Sequence, residues 1–462
     1  MGKIKITIED LFNISSAVIY NPDAFKPVSN VEIDSRRVKK GSLFIAIKGE
    51  KYDGHDFILD ALKKGANSVV IDSRKLKKFS FLEIPVVAVN NTTRAYGELA
   101  KIWRNKISAK VISITGSNGK TTVKEMIASL LSEKYNVVKT EANNNNHIGV
   151  PLTILGTNKK CEALVLEQGT NHFNEIEYLA NISRPDYALI TNIGDSHLEF
   201  LKNREGVYKE KSALLDITEM HGGTVFLNMD DPIIRKHSKN YWNKITYGFT
   251  GSVNVKGKIL DYTNDGRTKI KISYKGKKIE TTLPVYSESN AKNFLAASAV
   301  ALKLGLTDKE ILNGTKNIKP VRGRLEVKKF KDAVVINDTY NSNPASVESA
   351  VDLIKKIKTH KRKIIVLGDM FELGKQSEKL HKDLAKLFLP EKNLFVLTTG
   401  NMMKHLNKAL RKKNVKSIHF HIREALSLYL QYEEIENSVI LVKGSRGMKM
   451  EEFVNALEKR FE

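Results

Sequence analysis

Short apolar runs rich in β-branched residues recur along the chain, each ending in a glycine or polar turn and followed by a stretch of helical spacing. The clearest is Val111-Ile112-Ser113-Ile114-Thr115, which empties into Gly116-Ser117-Asn118-Gly119-Lys120-Thr121-Thr122 and then a helical pattern over 123–131. Upstream, the pattern predicts a helix over 8–12, a strand within 41–49, a helix over 57–64 closed by Gly65, a strand over 86–89 and a connecting helix over 94–107. Downstream, strands over 163–167 and from 187 are followed by a helix over 207–215, lysine-rich hairpin segments within 253–283 and an alanine-rich helix over 290–304. Residues 314–319 read as a linker, after which strands begin at 334, 364, 394 and 438, with a helix over 345–357.

Strands alternating with helices imply parallel sheets covered on both faces, and a length of 462 residues implies about three domains. The expected boundaries are a smaller N-terminal α/β domain over 1–106, a central P-loop parallel-sheet ATPase domain over 107–318 and a C-terminal Rossmann-like α/β domain over 319–462.

Hydrophobic content of 41% and charged content of 28% describe a globular chain, and the single cysteine, Cys161, is read as a buried residue beside a strand. The N-terminus has no uninterrupted apolar core and no run reaches membrane-spanning length, which together predict a cytoplasmic protein. The net charge of +24 raises a nucleic-acid-binding ATPase as an alternative. Its lysines are scattered in twos and threes without a dense tract or interleaved aromatic platform, so a general surface bias is the preferred reading, with no nucleic-acid or membrane partner.

The glycine turn carries the chemistry. Gly116 and Gly119 allow close backbone approach to an anion, the helix start offers free N–H groups, and Lys120 and Thr121 suit a phosphate oxygen and Mg²⁺. Two residues, instead of the usual four, separate the glycines, so this is a shortened phosphate loop for a nucleoside triphosphate. Glu167 ends one apolar strand and His197 lies beyond another; the carboxyl ends of parallel strands bring such groups together, and both are able to ligate a divalent metal. Asn143-Asn144-Asn145-Asn146-His147 is too polar for a core element and suits sugar or peptide groups near the phosphates. Lys211 and Lys209 lie on different faces of one helix, so one of them is a solvated charge. Asp34-Ser35-Arg36 and Gly54-His55-Asp56 are compatible with a phosphorylated or ribosyl ligand and equally with turn chemistry alone.

With these residues in place the chain resembles the Mur ligases, which join amino acids or peptides to a UDP-linked cell-wall precursor at the expense of ATP. The resemblance rests on Thr115 to Thr122, Asn145-Asn146-His147-Ile148-Gly149-Val150-Pro151, Asp338-Thr339-Tyr340-Asn341-Ser342-Asn343-Pro344, Leu367-Gly368-Asp369-Met370-Phe371-Glu372-Leu373-Gly374 and Val442-Lys443-Gly444-Ser445-Arg446. Within the family it is most similar to the enzymes that add D-alanyl-D-alanine to a UDP-N-acetylmuramoyl tripeptide. An archaeal pseudomurein ligase that adds an amino acid to a UDP-linked peptide is the alternative.

The resemblance implies ATP and Mg²⁺, a cytoplasmic monomer, and the following roles. Lys120 would bind phosphates, with Gly116, Asn118, Gly119, Thr121, Thr122, Asn290, Asn293, Arg324 and Asp338 on the nucleotide. Thr121 and Glu167 would hold one metal, and His197 with a carbamylated Lys211 a second. Ser35, Arg36, His55 and Asp56 would face the UDP-sugar, while Asn145, Asn146, Asn171, His172, Asn341, Asn343, Lys443, Ser445 and Arg446 would face the remaining substrate groups. Two departures stand out. The family's stretch near adenine reads Ser287-Glu288-Ser289-Asn290-Ala291-Lys292-Asn293, without its histidine and glycine, and Gln168 and Thr170 replace the usual methionine and alanine.

Overall fold

The computed structural model describes residues 4–390 and 392–461, which form three sheets of mixed α/β character. The first has five strands in the order Val18–Tyr20, Val86–Val89, Ala66–Asp72, Ser42–Ile45 and Asn30–Glu32, parallel except at the Val18–Tyr20 edge. The central sheet has nine strands. Lys110–Thr115 lies inside it, between Tyr187–Ile190 and Ala163–Glu167, so the residues that leave these three strands emerge side by side. The lysine-rich segments Val255–Tyr262, Arg267–Tyr274 and Lys277–Tyr286 extend this same sheet as an antiparallel wing. The third sheet has six strands, with Ala333–Asp338, Ser438–Lys443 and Arg362–Gly368 adjacent and parallel.

Helix Thr92–Arg104 is more than a connector. Its Trp103 is fully buried and donates from its indole to Thr157 O at 2.8 Å, and Arg104 donates to Ser183 O, so one apolar core runs from the first sheet into the face of the central one. Two local expectations change. The phosphate-loop helix begins at Lys120, three residues earlier than its apolar periodicity indicates, because left-handed Gly119 (φ 81°) starts the turn. Residues 314–316 are not linker: helix Asp308–Lys316 runs through them behind a Thr307–Glu310 capping box, and Gly314 lets it approach the Leu130 backbone of the phosphate-loop helix. The glycine therefore marks close packing instead of a break. Among the described residues no helix is long and apolar enough to cross a membrane.

Candidate active site

A cleft of about 1320 Å³ opens where the carboxyl ends of the central strands face the third sheet. The phosphate loop forms its floor and is tied to its neighbours at every step. Asn118 N donates to Asn192 Oδ1 (3.1 Å), Asn192 Nδ2 and Thr191 Oγ1 donate to Asn118 O, and Ser117 Oγ lies 2.9 Å from Ser196 Oγ. Gly116 has φ 148°, and a Cβ there would stand 1.9 Å from Thr191 Oγ1, which explains the glycine sterically. Lys120 donates to Gly116 O at 2.7 Å. Burial pushes its ammonium below the ordinary lysine range, with the Glu167 carboxylate opposing and the Arg324 charge adding to the shift.

Glu167 is almost fully buried at the end of its strand. Its Oε1 accepts from Asn145 Nδ2 at 2.9 Å, whereas Oε2 is buried without any hydrogen-bond partner. An uncompensated carboxylate oxygen close to the Lys120 charge is costly unless a cation completes it, so Glu167 fits a hard divalent metal. Lys211 is 1% exposed while Lys209 is exposed, which settles which lysine of that helix turns inward. Burial drives its ammonium well below the ordinary range; the Lys120 charge adds to this and Glu210 opposes it. A buried, readily neutralised amine fits reaction with CO₂. Glu210 itself is occupied, accepting from Thr170 Oγ1, Asn174 N and Ile176 N, and so secures the loop that carries Asn171.

The third sheet closes the other wall. Asn343 Nδ2 donates to Asn118 Oδ1 at 2.8 Å, directly from the third sheet's first helix to the phosphate loop. Arg324 stacks 4.0 Å from the Tyr340 ring centroid with its Nε buried and unpartnered. Lys443, 1% exposed, donates to Asp338 Oδ2 (2.7 Å) and to the backbone Asn341 O (2.9 Å), so a buried Lys443–Asp338 pair braces the exposed Asn341 at the cleft wall. Asn290 and Asn293 are linked at 3.2 Å and also reach the cleft. Glu372 crosses from the third sheet to bring Oε2 within 2.7 Å of His197 Nδ1.

Not every expected residue converges. Ser445 is buried and holds the Phe371 backbone N–H (2.8 Å) from behind the wall, and Arg446, two-thirds exposed, pairs with Glu451. His172 packs its ring on Phe200 outside the cleft lining. Ser35, Arg36, His55 and Asp56 also lie outside it. His55 calls for a correction, since both its nitrogens are in use: Nδ1 lies 2.6 Å from Asp53 Oδ1 and Nε2 accepts from Asp72 N at 2.9 Å, within a buried setting. It braces the first sheet and has no free atom for a ligand. The first sheet reaches the cleft instead through Asn91, Thr93 and Arg94, at the start of the Thr92–Arg104 helix. Thr191, Asn192 and Glu372 were not singled out from sequence. The first two follow the end of Tyr187–Ile190, as His197 does, and Glu372 sits inside the Leu367–Gly374 motif, so the signals were present without a role to attach to them.

Comparison with known proteins agrees with this geometry. Residues 27–109, 114–301 and 323–446 match the models described as "Mur ligase family, catalytic domain", "Mur ligase middle domain" and "Mur ligase, glutamate ligase domain". The UDP-N-acetylmuramoyl-tripeptide--D-alanyl-D-alanine ligase of Bacillus subtilis is 34% identical over 98% of both chains. A crystal structure of MurF from Acinetobacter baumannii superposes with a TM-score of 0.87 at 28% identity, covering 99% of this chain and 100% of that one. MurF from Thermotoga maritima in complex with ADP gives 0.82 at 28% identity, covering 94% and 97%. On the strength of full-length similarity joined to a three-sheet architecture with a shortened phosphate loop at its centre, the chain belongs to the Mur ligase family.

Proposed function

We propose that this chain joins D-alanyl-D-alanine to a UDP-N-acetylmuramoyl tripeptide while converting ATP to ADP and phosphate. The observation that carries the reading is the end-to-end similarity to a ligase of that name, at an identity of 34%, in a chain whose phosphate loop, Glu167 and His197 share one cleft with Asn341, Asn343 and Lys443. A peptide carboxylate is a poor electrophile. Its oxygen attacks the γ-phosphorus, ADP leaves, and the acyl phosphate is then attacked by the incoming amine, forming the amide and releasing phosphate.

Lys120 holds the phosphates and neutralises charge that builds during transfer, and Arg324 with Asn290 and Asn293 holds the rest of the nucleotide. Thr121 and Glu167 hold one Mg²⁺, and His197 with carbamylated Lys211 a second. When bound, the metal supplies charge neutralisation at the transferring phosphoryl group. The N-terminal domain, 1–106, takes the UDP end and the C-terminal domain, 319–462, the dipeptide, so that closing the three around the central domain, 107–318, excludes water from the acyl phosphate. The protein works in the cytoplasm as a monomer.

Mass spectrometry of products from a panel of UDP-peptides and amines, with ADP release measured in parallel, tests the reading. The tripeptide with D-alanyl-D-alanine is expected to give the largest turnover. Background ADP release with every pair, or hydrolysis stimulated by RNA with steep salt dependence, overturns it.

A further inference from the structure

The stretch Leu367 to Gly374, one of those that carry the family resemblance, places Glu372 at its tip. Strand Arg362–Gly368 ends there, and the following loop is held from behind: Met370 N donates to His381 Nε2 (2.9 Å) and Phe371 N to Ser445 Oγ (2.8 Å). Glu372 projects from this anchored loop across the gap to the central sheet. Its Oε2 lies 2.7 Å from His197 Nδ1, a close carboxylate–imidazole pairing in which Nδ1 is buried and makes no hydrogen bond among the described residues. Both residues have left-handed backbones, φ 62° for Glu372 and φ 53° for His197. Left-handed geometry costs a non-glycine residue about 1–2 kcal/mol, and such strain concentrates where a structure holds side chains for a purpose. Here it occurs twice, on the two sides of one contact.

A neutral imidazole carries one proton, on either nitrogen. A carboxylate accepts and never donates when ionised, so a carboxylate at Nδ1 keeps the proton there and leaves the Nε2 lone pair available. Carboxylate support of this kind orients metal-binding histidines and raises their basicity. We propose that Glu372 is a positioning residue that holds His197 in the metal-binding tautomer, and that it does so only while the third sheet is docked on the central one. The inference rests on the proposed metal role of His197. Docking is independently supported by the Asn343–Asn118 hydrogen bond, so the wall that brings the amine also completes the metal site.

The test uses the full-length protein, a non-hydrolysable ATP analogue and Mn²⁺ as the probe, with bound and free Mn²⁺ counted by electron paramagnetic resonance. Wild type, H197A, E372A and E372Q are compared, together with thermal unfolding of each. We expect E372A to weaken one class of Mn²⁺ site by about 10–100-fold with an unchanged unfolding temperature. E372Q is expected to lie between, since its amide can keep an oxygen beside Nδ1 but carries no charge. Wild-type Mn²⁺ binding in E372A alongside weakened binding in H197A overturns the role of Glu372 and leaves the metal reading standing. Wild-type binding in H197A overturns both.

Discussion

Substituting Gly116 by alanine tests whether the phosphate loop is positioned by steric fit. The new Cβ would meet Thr191 Oγ1 at 1.9 Å, Thr191 N at 3.0 Å and Thr191 Cβ at 3.1 Å, with φ at 148°. Backbone strain of about 1–3 kcal/mol adds to overpacking of about 1–3 kcal/mol, so the central unit should lose about 2–6 kcal/mol. Relief requires displacing Thr191, whose hydroxyl holds Asn118 O at 2.5 Å, and the loop then loses its anchor. Gly222 supplies the control, because it too has a positive φ (77°) but a Cβ there meets nothing within 4 Å. Gly222→Ala should cost only the backbone part, about 1–2 kcal/mol. Urea unfolding followed by Trp103 fluorescence reads the difference, since that indole is fully buried and bonded to Thr157 O at the junction with the central sheet. Equilibrium binding of ATP should weaken by about 100-fold or more in G116A and remain unchanged in G222A. Equal stability losses in the two variants, with ATP affinity retained in G116A, would refute the argument.

Lys211→Met keeps the volume and removes the amine: ADP release should fall by about 100-fold or more, the fold should be as stable or more so, and bicarbonate should not rescue it; wild-type rates in the variant count against the assignment. Arg324→Ala should raise KM for ATP about tenfold or more with little change in unfolding, and lysine at that position should not restore it, because the guanidinium stacks on Tyr340; an unchanged KM removes Arg324 from the nucleotide site. His55→Ala should destabilise the first sheet by about 1–3 kcal/mol, read by thermal unfolding, and loss of UDP-precursor affinity at full stability would contradict its bracing role. Burial raises the Asp53 carboxyl, but Lys75 and His55 outweigh it and hold it well below the ordinary carboxylate range. The unfolded chain therefore takes up the proton first as pH falls. Its stabilising contribution is complete above about pH 4 and declines below that, with a slope of at most about 1.4 kcal/mol per pH unit, so D53N should flatten the acid limb of the first sheet's stability curve.

The strands and their order of chemistry were legible because periodicity and turn residues act locally. Glu167 could be placed at a strand end, and Lys120 in the turn beyond one, from hydrophobic runs alone, and strand pairing sets Ile114 opposite Glu167. The shortened glycine spacing, together with the motifs around Asp338 and Lys443, sufficed to indicate the family. Helix Asp308–Lys316 was hidden because Gly314 reads as punctuation until Leu130 is found against it. Which side chains are free could not be read locally either. His55 looks like a loop ligand until the Asp72 N–H occupies its Nε2, and Ser445 looks exposed to substrate until it is found behind the Phe371 backbone. Above all, the contacts that join the third sheet to the phosphate loop, Asn343 to Asn118 across 225 residues of sequence and Glu372 to His197, depend on how separately formed units dock. Hydrophobic spacing specifies each unit because burial is a property of one face; docking is set by a few polar contacts whose partners no local pattern names.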